Sequence, residues 1–371
     1  MSGRCIVMVS AFPPPVTGQS LAANLLRDGL ESSGFRVISL DFGKTIGDQS
    51  VWKRICQLAG IEWRLLKSCI REHDCIIYLQ LGHGRLAIIR DIFLMATSWL
   101  TRHPSIGHVH GSGFRNAYDS LSLPLRVIVK FLIEKLDAAI VLSESLKEMF
   151  DGLIQRSRVF VVDNGIDPNF VSMTNECIVR KPRSTGMNIL FLSNFLTAKG
   201  FSTLLKTAVL AQERRCDWHF HFVGARIPNQ DVDIDTFVRE HHLQNVTIDD
   251  VLEGESKHEA YRDADVFVLP SVYEGQPLCI LEAMFESLPV VTTRIGGIPE
   301  IFSSDESCVI YVEPENPEAL YDAFNRLSAS PELCRSMGER GRHIAQTRFT
   351  AERHIAQMIQ IFDKSFHTNI S

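Results

Sequence analysis

Short runs of β-branched and aliphatic residues alternate along this chain with longer stretches whose apolar positions recur every three to four residues. The runs at 5–9, 36–40, 75–80, 106–110, 138–142 and 159–162 lack polar alternation, the mark of strands covered on both faces. Stretches such as 20–32 and 125–136 carry helical periodicity between them. The rhythm pauses over 171–186, a polar stretch with Asn175, Lys181, Pro182, Ser184 and Gly186, which reads as a linker. It then restarts. Strand runs follow at 187–193, 219–223, 246–248, 266–270, 290–293 and 309–312. Helical stretches lie at 200–211, 257–262, 278–287, 317–327 and from 331 onward. This alternation predicts parallel sheets with helices on both faces, and its pause predicts two doubly wound α/β domains. Ligands of such sheets bind at the carboxyl ends of the strands, and two domains offer the cleft between them.

Length agrees, since 371 residues suit about two domains. With 45% hydrophobic and 22% charged residues, the chain is no disordered tail, coiled-coil rod or collagen-like fibre. A net charge of −6 disfavours a dedicated nucleic-acid binder. The charge is uneven: residues 1–175 carry +3 and the remainder −9, which suggests modules with different partners. Nine cysteines with no CxxC pair read as reduced thiols, not as a disulfide framework or zinc site. No secretory signal precedes the first strand, and Arg90 and Asp91 interrupt the apolar stretch 86–100 short of a membrane span. The expectation is a cytoplasmic protein.

The sharpest chemical signal follows the strand ending at Pro270. There Glu274, Gly275, Gln276 and Pro277 form a loop, and Pro277 suits the first position of a helix. Backbone amides of Gly275 to Leu278 at that helix start suit a diphosphate. Glu274 and Glu282 flank this anion site, and two carboxylates there suit hydroxyls of a ribose and a sugar. Spacing alone leaves open a plainer alternative, with Glu274 as a helix cap and Glu282 as a solvated helix residue.

Glu274 and Glu282 resemble the E-x7-E signature of the family-4 retaining glycosyltransferases. The flanks 264–271 and 296–300, together with 162–167 and 222–224, look like the same family. The resemblance implies the GT-B fold, two Rossmann-like domains facing across a cleft. It implies a nucleotide-sugar donor, on family grounds a UDP-sugar, transfer of a hexose with retained configuration, and no metal or other cofactor. It assigns residues 1–175 to the acceptor, 186–345 to the donor, and 346–371 to a helix, about 350–366, that returns to the first domain. By the resemblance Glu274, Lys199 and His110 are catalytic, with Glu274 on donor-sugar hydroxyls, Lys199 on the diphosphate and His110 near the reacting carbon. Glu282 takes the ribose, and Gly275, Gln276, Pro277 and Leu278 meet phosphate. Gly224 lies near the base, and the loop holding Gly18 covers the diphosphate or the acceptor. Asn194 stands where the family usually has Arg; an amide donates a hydrogen bond but brings no charge. Arg115 is the candidate for an acceptor phosphate.

The resemblance points to a glycan or lipid-linked acceptor in cell-surface polysaccharide assembly. Two other functions stay open, a non-catalytic nucleotide-sugar-binding subunit, which Asn194 would suit, and a nucleotide-sugar epimerase. The stretches 51–71 and 125–135 interleave basic and apolar residues. They suit either peripheral contact with the inner face of a membrane or core-facing helices with solvated charges. Asp231, Asp233 and Asp235 imitate a metal motif but sit at an expected helix start, where acids favour the dipole.

Overall fold

The computed structural model describes residues 4–43, 51–82, 84–176 and 186–368. It divides into two compact units, Met1–Gly165 with Ala351–Ser371, and Ile166–Thr350.

The first unit holds β1 (Cys5–Ser10), α1 (Gly18–Ser32), β2 (Arg36–Asp41), α2 (Val51–Arg71), β3 (Cys75–Leu81) and α3 (Arg85–Leu100). It continues with β4 (Ser105–Val109), α4 (Phe114–Asp119), α5 (Leu123–Glu134), β5 (Ala138–Val141) and β6 (Val159–Val161). The sheet order is β2-β1-β3-β4-β5-β6, all parallel, with Val7 opposite Ile38 on one side and Ile77 on the other. The period of two along β1 decides what packs where. Cys5, Val7 and Val9 point into a core with α2, α3 and α5, while Ile6 and Met8 point into a second core on the other face.

The second unit holds α6 (Pro168–Glu176), β7 (Met187–Leu192), α7 (Phe201–Glu213), β8 (Trp218–Val223), α8 (Ile234–Glu240), β9 (Val246–Asp249) and α9 (Gly254–Arg262). Then come β10 (Val266–Leu269), α10 (Leu278–Phe285), β11 (Val290–Thr293), α11 (Ile298–Ile301), β12 (Val309–Val312), α12 (Pro317–Ser328) and α13 (Pro331–Arg348). The parallel sheet runs β12-β11-β10-β7-β8-β9. The last helix, α14 (Ala351–Thr368), belongs to the first unit. There Ile355, Met358 and Phe362 pack with Ile6, Met8 and α1.

One expectation changes. The polar pause at 171–186 opens inside α6, because Phe170 of that helix is buried in the second core. Residues 177–185, the rest of the expected linker, lie outside the described residues.

Candidate active site

Strand order in the second sheet reverses between β7 and β10, which are neighbours although two strands separate them in sequence. The loops leaving their carboxyl ends therefore diverge from one place, where doubly wound sheets bind ligands. Lys199 lies in the first loop and Glu274 in the second. Lys199 Nζ donates to Glu274 Oε1 at 2.7 Å, and Ser271 Oγ donates to the same oxygen at 2.9 Å. Glu274 is only 6% exposed.

Two glycines hold these loops together. Gly200 has φ 77°, and a Cβ there would stand 2.1 Å from the Pro270 carbonyl oxygen. Gly296 has φ 52°, and a Cβ there would stand 1.9 Å from the Glu274 carbonyl oxygen. Both positions need a left-handed residue without a side chain. Next to Gly296, the Gly297 amide donates to the Gly275 carbonyl at 2.9 Å.

Glu282 lies one turn into α10 and is also 6% exposed. Both its oxygens accept from α9, Oε1 from Lys257 Nζ at 2.5 Å and Oε2 from Tyr261 Oη at 2.8 Å. Beside them His258 Nδ1 lies 2.8 Å from Glu286 Oε1, with its ring stacked 4.1 Å from that of Phe170. Burial, and then the Glu282 charge, push the Tyr261 phenol well up. Burial, with Glu274 and Glu282, pushes the Cys279 thiol up to about 12. Tyr261 and Cys279 therefore stay protonated at neutral pH.

The plainer alternative for the two glutamates does not hold. No side chain caps α10, and Glu282 is buried and bonded, not solvated. Pro277 departs from expectation by one position: α10 starts at Leu278, and Pro277 is its N-cap with φ −71° and ψ 123°. The fixed proline φ serves an extended cap as well as a first helical residue.

Asn194 Oδ1 accepts from the Ala225 amide at 3.3 Å, tying the β7 loop to the β8 loop that holds Gly224. Phe195 bridges Arg226, whose guanidinium pairs with Asp235 and Asp250. Asp233 caps α8 by accepting from the Thr236 amide at 2.8 Å. Among the described residues, no cluster of three or more His, Cys, Asp or Glu could hold a metal ion.

The other candidates belong to the first unit. Gly18 opens α1 behind a capping box of Thr17 and Ser20. Arg115 donates to Asp119 Oδ2 and to the Asp151 carbonyl, both at 2.9 Å. His110 follows β4, its ring stacked 4.0 Å from that of His108. His108 is fully buried, with Nδ1 2.8 Å from Tyr78 Oη. Burial, followed by His110 and His354, holds the His108 pKa well below 6.5. The unfolded chain therefore binds this proton first as pH falls. From about pH 6.5 downward the first unit should lose stability with a slope approaching ~1.4 kcal/mol per pH unit from this group. Urea midpoints between pH 7 and 5 check this: His108→Asn should flatten the loss, whereas parallel curves would acquit His108.

The sequence pattern does not single out Lys257, Tyr261 or Arg226. The one available signal is that Lys257 is the single Lys or Arg between Glu253 and Glu259, a stretch that also holds Glu255.

Residues 186–330 match the family described as Glycosyl transferases group 1. This group 1 segment contains both lysine–glutamate pairs. An MMP alpha-(1->4)-mannosyltransferase of Mycolicibacterium hassiacum is 34% identical over 102 residues, 28% of this chain and 25% of that protein. An uncharacterized glycosyltransferase of Methanocaldococcus jannaschii is 30% identical over 200 residues, 51% of this chain and 50% of that one. The chain thus spans a quarter to a half of the length of these curated relatives. In solved structures the fold recurs across nearly the whole chain. Sucrose-phosphate synthase of Thermosynechococcus elongatus superposes with a TM-score of 0.75 at 20% identity, covering 98% of this chain and 100% of that one. Anabaena HepE in complex with UDP-glucose gives 0.71 at 15% identity, covering 97% and 99%. The fold is that of the GT-B glycosyltransferases.

Proposed function

We propose that the protein is a retaining glycosyltransferase of family 4. It transfers a hexose from a UDP-sugar to a glycan or lipid-linked acceptor in cell-surface polysaccharide assembly, at the cytoplasmic face of a membrane. The observation that carries this reading is the pair of buried carboxylates, Glu274 and Glu282, each held by a lysine where the strand order reverses. The group 1 match and the likeness to HepE support it.

Residues 186–345 bind the donor in this reading, and the first unit the acceptor, with Gly18 and His110 at the reaction centre and Arg115 on the acceptor. Glu282 accepts from the ribose hydroxyls and Glu274 from the donor sugar. Lys199 turns from Glu274 to the diphosphate, supported by Asn194 and by amides of Gly275, Gln276 and Leu278 behind Pro277. Gly224 leaves room for the base. The bond from the anomeric carbon to phosphate breaks as the acceptor hydroxyl attacks on the same face, and the departing phosphate oxygen takes the hydroxyl proton. Charge stabilisation of that leaving group is the main demand on the protein.

A second reading, a nucleotide-sugar-binding subunit without turnover, draws on Asn194. Its amide oxygen bonds the Ala225 backbone where a guanidinium would bring charge.

Thermal shifts with UDP, GDP, ADP and CMP, with and without Mg²⁺, test the donor site. UDP at about 100 times its dissociation constant should add ~2.7 kcal/mol without metal. For a unit of this size that is roughly 5–11 °C. No shift with any of the four would overturn the donor site. A UDP shift without release of UDP from any UDP-sugar and acceptor would favour the subunit.

A further inference from the structure

Helices α2, α3 and α5 cover one face of the first sheet with Leu65, Leu94 and Leu132, and each also carries a second apolar stripe. That stripe faces outward. Trp52 (72% exposed) and Trp63 lie on α2, Leu86 (75%) and Phe93 on α3, and Leu123 and Phe131 on α5. Among the described residues, thirteen of the fifteen exposed large hydrophobic side chains lie on these three helices. The face is continuous. Thr97 Oγ1 donates to Glu62 Oε2 at 2.8 Å between α3 and α2, and the Trp99 and Phe131 rings meet edge-on at 5.2 Å between α3 and α5. Solvated helices have no use for an outward apolar stripe.

The charge of these three segments is one-sided. Segments 51–71, 85–102 and 123–135 hold eleven Lys and Arg against three acids, in a chain whose net charge is −6. At the ends of α3 and α5 a cavity of about 460 Å³ is lined by Trp99, Arg102, His103, Lys135 and Asp137. Asp137 accepts from the Ser105 amide at 2.8 Å, and Arg102 and Lys135 bring two cations to the lining of this cavity. Among the described residues no helix is long and apolar enough to cross a membrane.

We infer that the outward face of α2, α3 and α5 lies on an anionic phospholipid surface, its aromatic side chains in the headgroup boundary and Arg102 and Lys135 on lipid phosphates. Apolar area gives the attachment and the cations give preference for negative lipid. This gives a place to the membrane contact of the proposed function. Vesicle binding and sugar transfer are separate readouts, so either can fail alone.

The test is sedimentation of the full chain with vesicles of phosphatidylcholine, alone or mixed with phosphatidylglycerol. The protein should pellet with the mixed vesicles, be released by salt, and stay in solution with phosphatidylcholine alone. Trp63→Glu with Phe93→Glu should lower partitioning at least about tenfold, because each ring loses its apolar burial. Arg102→Ala with Lys135→Ala should lower it about fivefold per cation removed. Melting temperatures of all variants without ligand should stay near the wild type, which shows them folded whether or not UDP binds. Partitioning unchanged by the aromatic pair, or none onto anionic vesicles, would overturn the inference. So would a wild-type dimer in analytical ultracentrifugation that Trp63→Glu with Phe93→Glu makes monomeric, since a second copy would then cover the face.

Discussion

Glu274→Gln should lower kcat for sugar transfer by about a hundred- to a thousandfold and leave the protein folded. Removing one preorganised electrostatic group from a transition state costs about 2.7–4 kcal/mol, which is a loss of that size. Glutamine keeps an oxygen where Ser271 and Lys199 now donate, at 2.9 and 2.7 Å, so the local packing has what it needs. It lacks the negative charge that an oxocarbenium-like sugar calls for, and its hydrogen bond to a sugar hydroxyl is weaker than that of a carboxylate. Donor binding should suffer less than turnover, because most of the UDP contacts assigned here lie on Glu282, Lys199 and the amides at α10. Single-turnover assays beside UDP thermal shifts separate the two. A variant with full kcat would remove Glu274 from the chemistry.

Lys199 supplies the control for a merely structural ion pair. Lys199→Met leaves Glu274 buried without its cation, and breaking a buried pair in this way costs about 3–5 kcal/mol. Combining Lys199→Met with Glu274→Gln removes the uncompensated charge and should recover most of that stability. It should recover no activity. If the double variant regained turnover with stability, the pair would be only a strut.

Much of this was legible in the sequence, and the reasons are specific. All twelve strands of the described residues fall on the runs read from the sequence, most of them as near-continuous apolar runs of parallel strands, while β8 and β9 alternate polar and apolar residues. Glu274 and Lys199 stood out because strand-to-loop punctuation marks the carboxyl ends where a doubly wound sheet binds. Most of α6 was hidden in a polar pause, since a nine-residue helix anchored chiefly by Phe170 has too few turns to show a period. Lys257 and Tyr261 were hidden for another reason. Their meaning comes from Glu282, which lies 25 and 21 residues away on another helix, and periodicity reports one helix face but not the residue across from it. Arg226 likewise acquires its place only when β7 and β8 pair and bring Phe195 beside it.

Gly296→Ala should remove about 3 kcal/mol from the second unit and most of its turnover. An alanine at φ 52° costs roughly 1–2 kcal/mol by itself. Its Cβ would also stand 1.9 Å from the carbonyl oxygen of Glu274, far inside contact distance, and the obstacle is backbone, so no side chain can swing aside. Relief requires the Glu274 peptide to move, and the Gly297 to Gly275 hydrogen bond of 2.9 Å resists that movement. For a unit of this size the loss corresponds to a fall in Tm of roughly 6–12 °C. Gly60→Ala is the matched contrast. It sits inside α2, where a Cβ meets nothing within 4 Å. There the substitution should stabilise by about 0.5–1 kcal/mol, because alanine loses less chain freedom in a helix than glycine does. Thermal melts and donor-saturated turnover of both variants decide the matter. If Gly296→Ala melts like the wild type and turns over normally, the Glu274 loop has room that its geometry denies, and the rigid placement on which the proposed chemistry depends fails with it.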